Sequence, residues 1–121
     1  MLSDVPAGLV VSEIGCAKVA GVAVCGEVEI ATAPALMEAV EEAIRGSSGP
    51  FVIDLGEVDF LDSAGIHCLV RARALLGRED RVLALMRPRA NVRRVLELVG
   101  LDALLPVYAS PDELAGALRR V

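Results

Sequence analysis

The chain has 121 residues, of which 17 are acidic and 12 are basic, so its formal net charge is −5. This acidic balance argues against a nucleic-acid module, because neutralising phosphates requires a basic surface. The apolar runs are shorter than the roughly 18 residues that a membrane span needs, and the amino terminus lacks the basic start of a signal peptide. We therefore expect a cytoplasmic protein that does not insert into membranes, folded as one domain over residues 1–121 with a flexible segment at 1–8.

The first third of the chain is predicted to form a hairpin and an amphipathic helix. Residues 9–14 and 17–25 are rich in Val and Ala and flank Gly15, a pattern typical of two antiparallel strands. Pro34 suits the first turn of a helix, and Gly46 suits its end. Between them, apolar residues recur on one helical face: Leu36, Met37, Val40 and Ile44.

Strands and helices alternate along the rest of the chain. The sequence predicts three further strands, a buried one at 51–55, one at 81–86 and a short one around Val107. It also predicts three further helices: one at 64–76 ended by Gly77, one capped by Asn91 and ended by Gly100, and a last one opened by Ser110 or Pro111. This alternation is typical of an α/β fold. We expect a mixed sheet of four or five strands packed with about four helices, with the first two strands antiparallel and helical crossovers between the later ones.

Two further features are predicted to be structural. Cys16, Cys25 and Cys68 have neither the CxxC spacing of a metal or redox motif nor the even count of a disulfide framework. We expect all three to be buried small residues and predict neither a metal site nor a cofactor, with a thiol sensor as the alternative. The arginine-rich run at 87–94 lies where a loop meets a helix, and we expect a solvated face there, with an anion site as the alternative.

The segment at 59–67, which reads DFLDSAGIH, is the candidate functional site. Ser63 stands just before a predicted helix, where its hydroxyl is expected to cap the first turn. Gly65 would keep that turn bare, so that another protein could approach it closely. Asp59 and Asp62 would make the rim acidic. Together these residues predict an approachable, switchable hydroxyl.

Three segments in the same order, at 26–36, 51–70 and 92–110, resemble the STAS domains of bacterial anti-sigma factor antagonists. The resemblance extends from about residue 9 to the end, and its most specific part is DSAG at 62–65. It implies that the unphosphorylated chain binds an anti-sigma factor, commonly a serine kinase, and thereby frees a sigma factor for transcription, often in a stress response. It also implies that Ser63 is the phosphoacceptor, that a phosphatase restores it, and that the chain is not an enzyme.

The expected partner-binding face surrounds Ser63. A phosphate there would add about −1.5 to −2 charge, tolerated by a helix N-terminus but opposed to partner contact. His67 departs from the family pattern and shares a helical face with Ser63; we expect an exposed surface residue, with a role in steadying the phosphate or tuning partner choice as the alternative. The expected contact residues are Glu27, Glu29, Thr32, Asp59, Asp62, Ser63, Ala64, Gly65 and His67.

Other interpretations of the same residues remain open at this stage. A hydrolase would use Ser63 as nucleophile, His67 as base and Asp62 or Asp59 as orienting group, but a base one helical turn along has no obvious orienting partner. The STAS resemblance also admits a stand-alone subunit of a lipid-transport ATPase complex and a stressosome-type scaffold component. We expect a monomer or weak dimer in each case.

Overall fold

The computed structural model describes residues 9–13 and 19–119. The predicted flexible segment at 1–8, the turn at Gly15 and Cys16 lie outside the described residues. Within the described ranges, no helix is both long and apolar enough to cross a bilayer.

The described residues form one sheet of five strands in the order β1-β2-β3-β4-β5. Strand β1 is antiparallel to β2, and every later neighbour pair is parallel. The strands are β1 (Leu9–Glu13), β2 (Ala20–Val28), β3 (Phe51–Leu61), β4 (Leu83–Met86) and β5 (Val107–Tyr108). This topology confirms the predicted mixed sheet and its antiparallel opening.

Four α-helices occur in the described part of the chain: α1 (Ala33–Arg45), α2 (Ser63–Gly77), α3 (Ala90–Leu98) and α4 (Pro111–Arg119). A short 3₁₀ turn at Leu101–Ala103 links α3 to β5. Pro34 lies in the first turn of α1, and the Ser110 hydroxyl accepts a hydrogen bond from Glu113 N–H at the start of α4, both as predicted. The predicted α/β fold is confirmed.

The two faces of the sheet have different cover. Successive side chains of a strand point to opposite faces, so Phe51, Ile53 and Leu55 enter the main core under α1, α2 and α3. Val52 points the other way, into a smaller cluster closed by Leu114 of α4. Helices therefore cover both faces, in keeping with the near-continuous apolar run at 51–55.

Several predicted boundaries are wrong: the strand predicted at 17–25 continues to Val28, the strand predicted at 81–86 begins at Leu83, and two further differences lie near the candidate site. Strand β3 does not stop at Leu55 but continues to Leu61, because β2 pairs with it from Ala20↔Phe51 to Val28↔Leu61, with register shifts along the way. Helix α3 begins one residue before Asn91, which does not cap it. The Asn91 side chain instead donates to the carbonyl oxygen of Asp59 at 2.7 Å.

Strands β2, β3 and β4 are parallel, so their carboxyl ends share one edge of the sheet. That edge comprises residues 26–32, 56–63 and 87–91, and we call it the serine edge because Ser63 follows directly on β3. The candidate site therefore lies where three chain segments meet.

Candidate functional site

Asp62, not Ser63, caps helix α2. Its Oδ1 accepts hydrogen bonds from the N–H groups of Ala64 at 2.9 Å and Gly65 at 3.2 Å, and its backbone is extended. Ser63 is the first helical residue, with an exposed side chain. The predicted capping role of Ser63 is therefore wrong, and its hydroxyl lies outside the capping hydrogen bonds.

The capping geometry changes the electrostatics expected for a phosphate on Ser63. The N–H groups of Ala64 and Gly65 are already bound by Asp62, and the N–H of Ile66 donates to the Asp62 carbonyl oxygen. A phosphate would therefore meet the positive end of the helix dipole together with a neighbouring carboxylate, rather than a set of free donors.

Gly65 faces the core rather than a partner. It is buried, and a Cβ added to it would overlap the Leu61 side chain and lie 2.9 Å from Cγ1 of Val28. The missing side chain lets the first turn of α2 pack closely on the ends of β2 and β3. The expectation that Gly65 bares the helix for a partner is wrong, because the bare side of the turn faces inward.

The other predicted residues of α2 are accessible to different degrees. Ala64 is half-buried, whereas His67 is exposed, as expected for a surface histidine. The carboxylate of Asp62 binds the helix N-terminus and that of Asp59 binds Arg89, so neither orients His67. The arrangement needed for a Ser63 nucleophile is not assembled in the described residues.

Thr32 organises the β2–α1 turn from the inside. Its side chain is buried, with 5% exposed, and its hydroxyl donates to the Glu27 carbonyl oxygen at 2.8 Å and accepts from the Glu29 N–H at 3.0 Å. Thr32 therefore acts as a positioning residue for this turn, and its predicted contact with a partner stays a prediction. Glu27 is exposed and Glu29 is half-buried.

The acidic rim is partly neutralised. Arg89 forms ion pairs with Asp59 and with Glu57, the latter at 3.1 Å. Arg87 binds the carboxylate of Asp54 at 2.9 Å, and the pKa of its guanidinium is raised by that hydrogen bond and by the charge of Asp54. Two arginines of the run are therefore tied to acidic residues of β3, and the arginines at 87, 89, 93 and 94 are all exposed, in keeping with the expected solvated face.

The cysteines differ from one another. Cys68 is buried, and desolvation raises the pKa of its thiol, with the charge of Asp62 adding to the shift and that of Arg71 opposing it. This confirms Cys68 as a buried small residue that stays protonated at neutral pH. Cys25 is exposed near the end of β2, so its predicted burial is wrong.

Sequence reasoning missed two apolar residues of the serine edge. Ile30 is 80% exposed in the β2–α1 turn, and Phe60 is 46% exposed one residue before β3 ends. Phe60 is the direct neighbour of Glu27 across β2 and β3. The sequence does contain a signal for both residues: each is a large apolar residue that stands alone in a charged or turn-forming stretch.

The sequence and fold of this chain are similar to those of known proteins. The family model described as "Mlab, STAS domain" matches residues 17–106. The anti-sigma-F factor antagonist RsfB of Mycobacterium tuberculosis is 32% identical over 99 residues, which cover 81% of this chain and 80% of that protein. The anti-sigma-B factor antagonist of Listeria monocytogenes is 30% identical over 93 residues, which cover 77% and 82% of the two chains.

A solved structure agrees with these sequence matches. The crystal structure of an anti-sigma factor antagonist from Mycobacterium paratuberculosis has a TM-score of 0.77 to this chain at 34% identity, with 92% of each chain covered. The fold, with α2 starting at the carboxyl end of β3, and these matches over most of the sequence lead to one conclusion: the chain belongs to the STAS domain family.

Proposed function

We propose that this chain is an anti-sigma factor antagonist whose binding to an anti-sigma factor is switched off by phosphorylation of Ser63. The observation that carries the proposal is an exposed serine at the first position of α2, outside the capping hydrogen bonds and at an edge where three chain segments meet. Relatives named antagonists of anti-sigma-F and anti-sigma-B factors support the same role. Release of a sigma factor in the cytoplasm would follow from capture of its anti-sigma factor.

The switch would act through charge at the surface. A phosphoserine carries about −1.5 to −2 charge at pH 7, and at position 63 it would stand beside the Asp62 carboxylate. A partner packed against this turn would have to strip water from both anions, which costs free energy. The helix dipole offsets part of the repulsion within the folded chain, so contact is lost while the fold is kept.

The chain itself would supply no catalysis in this scheme. A serine kinase, commonly the anti-sigma factor itself, would transfer the phosphate, and a separate phosphatase would remove it. The use of Asp62 and Asp59 in capping and ion pairing supports this assignment over a hydrolase.

Phosphate transfer tests the proposal. The chain is incubated with the anti-sigma kinases of its source organism and ATP·Mg, and the intact chain and its peptides are weighed by mass spectrometry. We expect one phosphate on the peptide containing Ser63, none in Ser63→Ala, and unchanged transfer in Ser48→Ala, a control at another exposed serine. Equal incorporation into wild type and Ser63→Ala would contradict the assignment.

Comparing Ser63→Ala with Asp62→Ala separates the proposed phosphorylation site from the residue that caps α2. Because Asp62 provides the cap, Ser63→Ala should leave the free energy of unfolding nearly unchanged, whereas Asp62→Ala should lower it by about 1 kcal/mol. Ser63→Ala should also keep its affinity for the anti-sigma factor. Stable binding to a transport ATPase subunit, without any phosphate transfer, would instead support the lipid-transport alternative.

A further inference from the structure

Apart from Val70 of α2, the large apolar side chains exposed in the described residues lie at two opposite edges of the molecule. Ile30 and Phe60 lie at the serine edge, where β2 and β3 end. A second group lies at the other edge, beyond the end of α3 and at the start of β4: Val82, Leu98, Val99 and Leu104. The two groups differ in what surrounds them.

Backbone pairing brings the chain segments that carry Ile30, Phe60 and Ser63 together at one corner of the serine edge. The Asp62 N–H donates to the carbonyl oxygen of Val28 at 3.1 Å, which ties the residue before Ser63 to the end of β2. Ile30 follows Val28 by two residues, and Phe60 precedes Ser63 by three. Thr32 fixes the intervening turn by its hydrogen bonds to Glu27 and Glu29.

The charges around this corner are unequally balanced. Glu57 and Asp59 share Arg89 as their ion-pair partner, so one of their two negative charges is offset within the chain. Glu27 and Glu29 take part in no ion pair among the described residues, and Glu27 is the cross-strand neighbour of Phe60. The corner therefore presents an apolar centre with an unbalanced acidic border on its β2 side. A complementary surface would offer an apolar socket with basic side chains along one rim.

We propose that Ile30 and Phe60 are the apolar anchors by which the anti-sigma factor holds this chain, and that the partner surface is an apolar socket with a basic rim facing Glu27 and Glu29. This inference rests on the proposed function and adds the residues that supply its affinity. Buried apolar anchors dominate binding energy at protein interfaces, whereas border charges mainly set the association rate and its salt dependence.

The anchors also explain why a phosphate on Ser63 would be effective. A socket that closes over Phe60 would bring the first turn of α2 to its margin, since only two residues separate Phe60 from Ser63. A dianion at that margin would have to lose its water as the apolar contact forms. The phosphate would therefore oppose the apolar contact that provides most of the affinity. It would do so even though the partner has basic groups on the rim that faces Glu27 and Glu29.

The role of the two anchors is tested by titration calorimetry, which measures the affinity of each variant for an anti-sigma factor. The anti-sigma factor is one from the source organism that binds the wild-type chain. We expect Ile30→Ser and Phe60→Ser each to weaken binding by at least about tenfold. The loss should persist at both roughly 0.05 M and roughly 0.5 M salt, whereas the smaller loss in Glu27→Gln should vanish at the higher salt. Leu98→Ser is the matched control, because Leu98 is 75% exposed at the opposite edge and should bind as wild type does.

Each outcome has one meaning. Ile30→Ser is the cleaner variant, since its side chain is the more exposed, and circular dichroism melting of every variant checks that the fold is kept. Wild-type affinity in folded Ile30→Ser and Phe60→Ser would overturn the anchors and leave the proposed function standing. Equal losses in Leu98→Ser would also overturn them. A wild-type chain that binds no anti-sigma factor would overturn the proposed function, and the anchors with it.

Discussion

The two halves of strand β3 are built differently. Residues 51–54 pair with β2 on one side and with β4 on the other, and all of residues 51–55 are buried. Residues 56–61 have β2 on one side only, because β4 pairs no further than Asp54↔Met86. In this second half, buried and exposed side chains are mixed, and the exposed ones include Phe60.

Side chains replace the missing strand beside the second half. Arg89 Nε donates to the Gly56 carbonyl oxygen at 2.9 Å, and Asn91 Nδ2 donates to that of Asp59. Arg87 adopts a left-handed φ of 56° on leaving β4, and its guanidinium lies over Gly56, where a Cβ would come within 2.6 Å of Nη2. Arg89 and Asn91 thus form a clamp that binds two carbonyl oxygens along the open edge of β3.

The two halves of β3 therefore differ in role: we infer that the first contributes mainly to stability and the second mainly to recognition. The first half is held by two strand ladders and by apolar burial, which is the largest favourable term in folding. The second half is held by charged and amide side chains and leaves apolar and acidic groups exposed, at the surface where we propose that a partner binds. Local opening should therefore need less free energy in 56–61 than in 51–55.

The largest expected contrast is between the two phenylalanines of the chain, one in each half. Phe51 is fully buried, so Phe51→Ala should lower the free energy of unfolding by about 4 kcal/mol. Phe60→Ala should cost about 1 kcal/mol or less, while weakening anti-sigma binding. Urea denaturation measures both, and similar losses from the two variants would erase the contrast.

The first turn of α2 packs so closely on the end of β3 that there is no room for a side chain at Gly65. Gly65→Ala would push a methyl group against Leu61 and Val28, at an expected cost of about 2 kcal/mol. Gly77→Ala on the same helix is the control, because a Cβ there meets nothing within 4 Å, and it should be neutral or slightly stabilising. Thermal melting compares the pair, and equal stability would mean that α2 does not need this close approach.

Removing the clamp should loosen the second half selectively. The double variant Arg89→Ala with Asn91→Ala should lower stability by about 1 kcal/mol and speed amide hydrogen exchange in 56–61 more than in 51–55. Arg93→Ala is the control, because its ion pair with Glu97 is exposed and should contribute less than about 0.5 kcal/mol. Uniform exchange changes along β3 would show that the clamp does not act locally.

Sequence patterns predicted the fold because its strands and helices are locally consistent. The apolar run at 51–55 and the periodic faces of the helices carry their own signals. The second half of β3 carries none, since Gly56 and the acidic residues after it are typical of a loop. It remains a strand because β2 pairs alongside and because donors from Arg89 and Asn91, about thirty residues later in the chain, satisfy its edge.

The helix start at the candidate site was predicted in position, but the orientation of its residues was not. DSAG marked the helix start, yet Asp62 and Ser63 are both good capping residues, and only the extended backbone of Asp62 decides between them. Whether Gly65 and Thr32 face the core or a partner depends on how α1 and α2 lie on the sheet. Neither spacing nor composition contains that information.

We propose that a phosphate on Ser63 acts by local charge while the fold is kept. Calorimetric titration of wild type, Ser63→Glu and phosphorylated chain against one anti-sigma factor, with amide hydrogen exchange in parallel, separates this mechanism from refolding. We expect affinity to fall from wild type to Ser63→Glu and further in the phosphoprotein, since a carboxylate supplies one charge and phosphate nearly two. Melting temperature should move by only a few degrees, as for a change of about 1 kcal/mol. Loss of exchange protection across β2, β3 and β4 on phosphorylation would contradict the local mechanism.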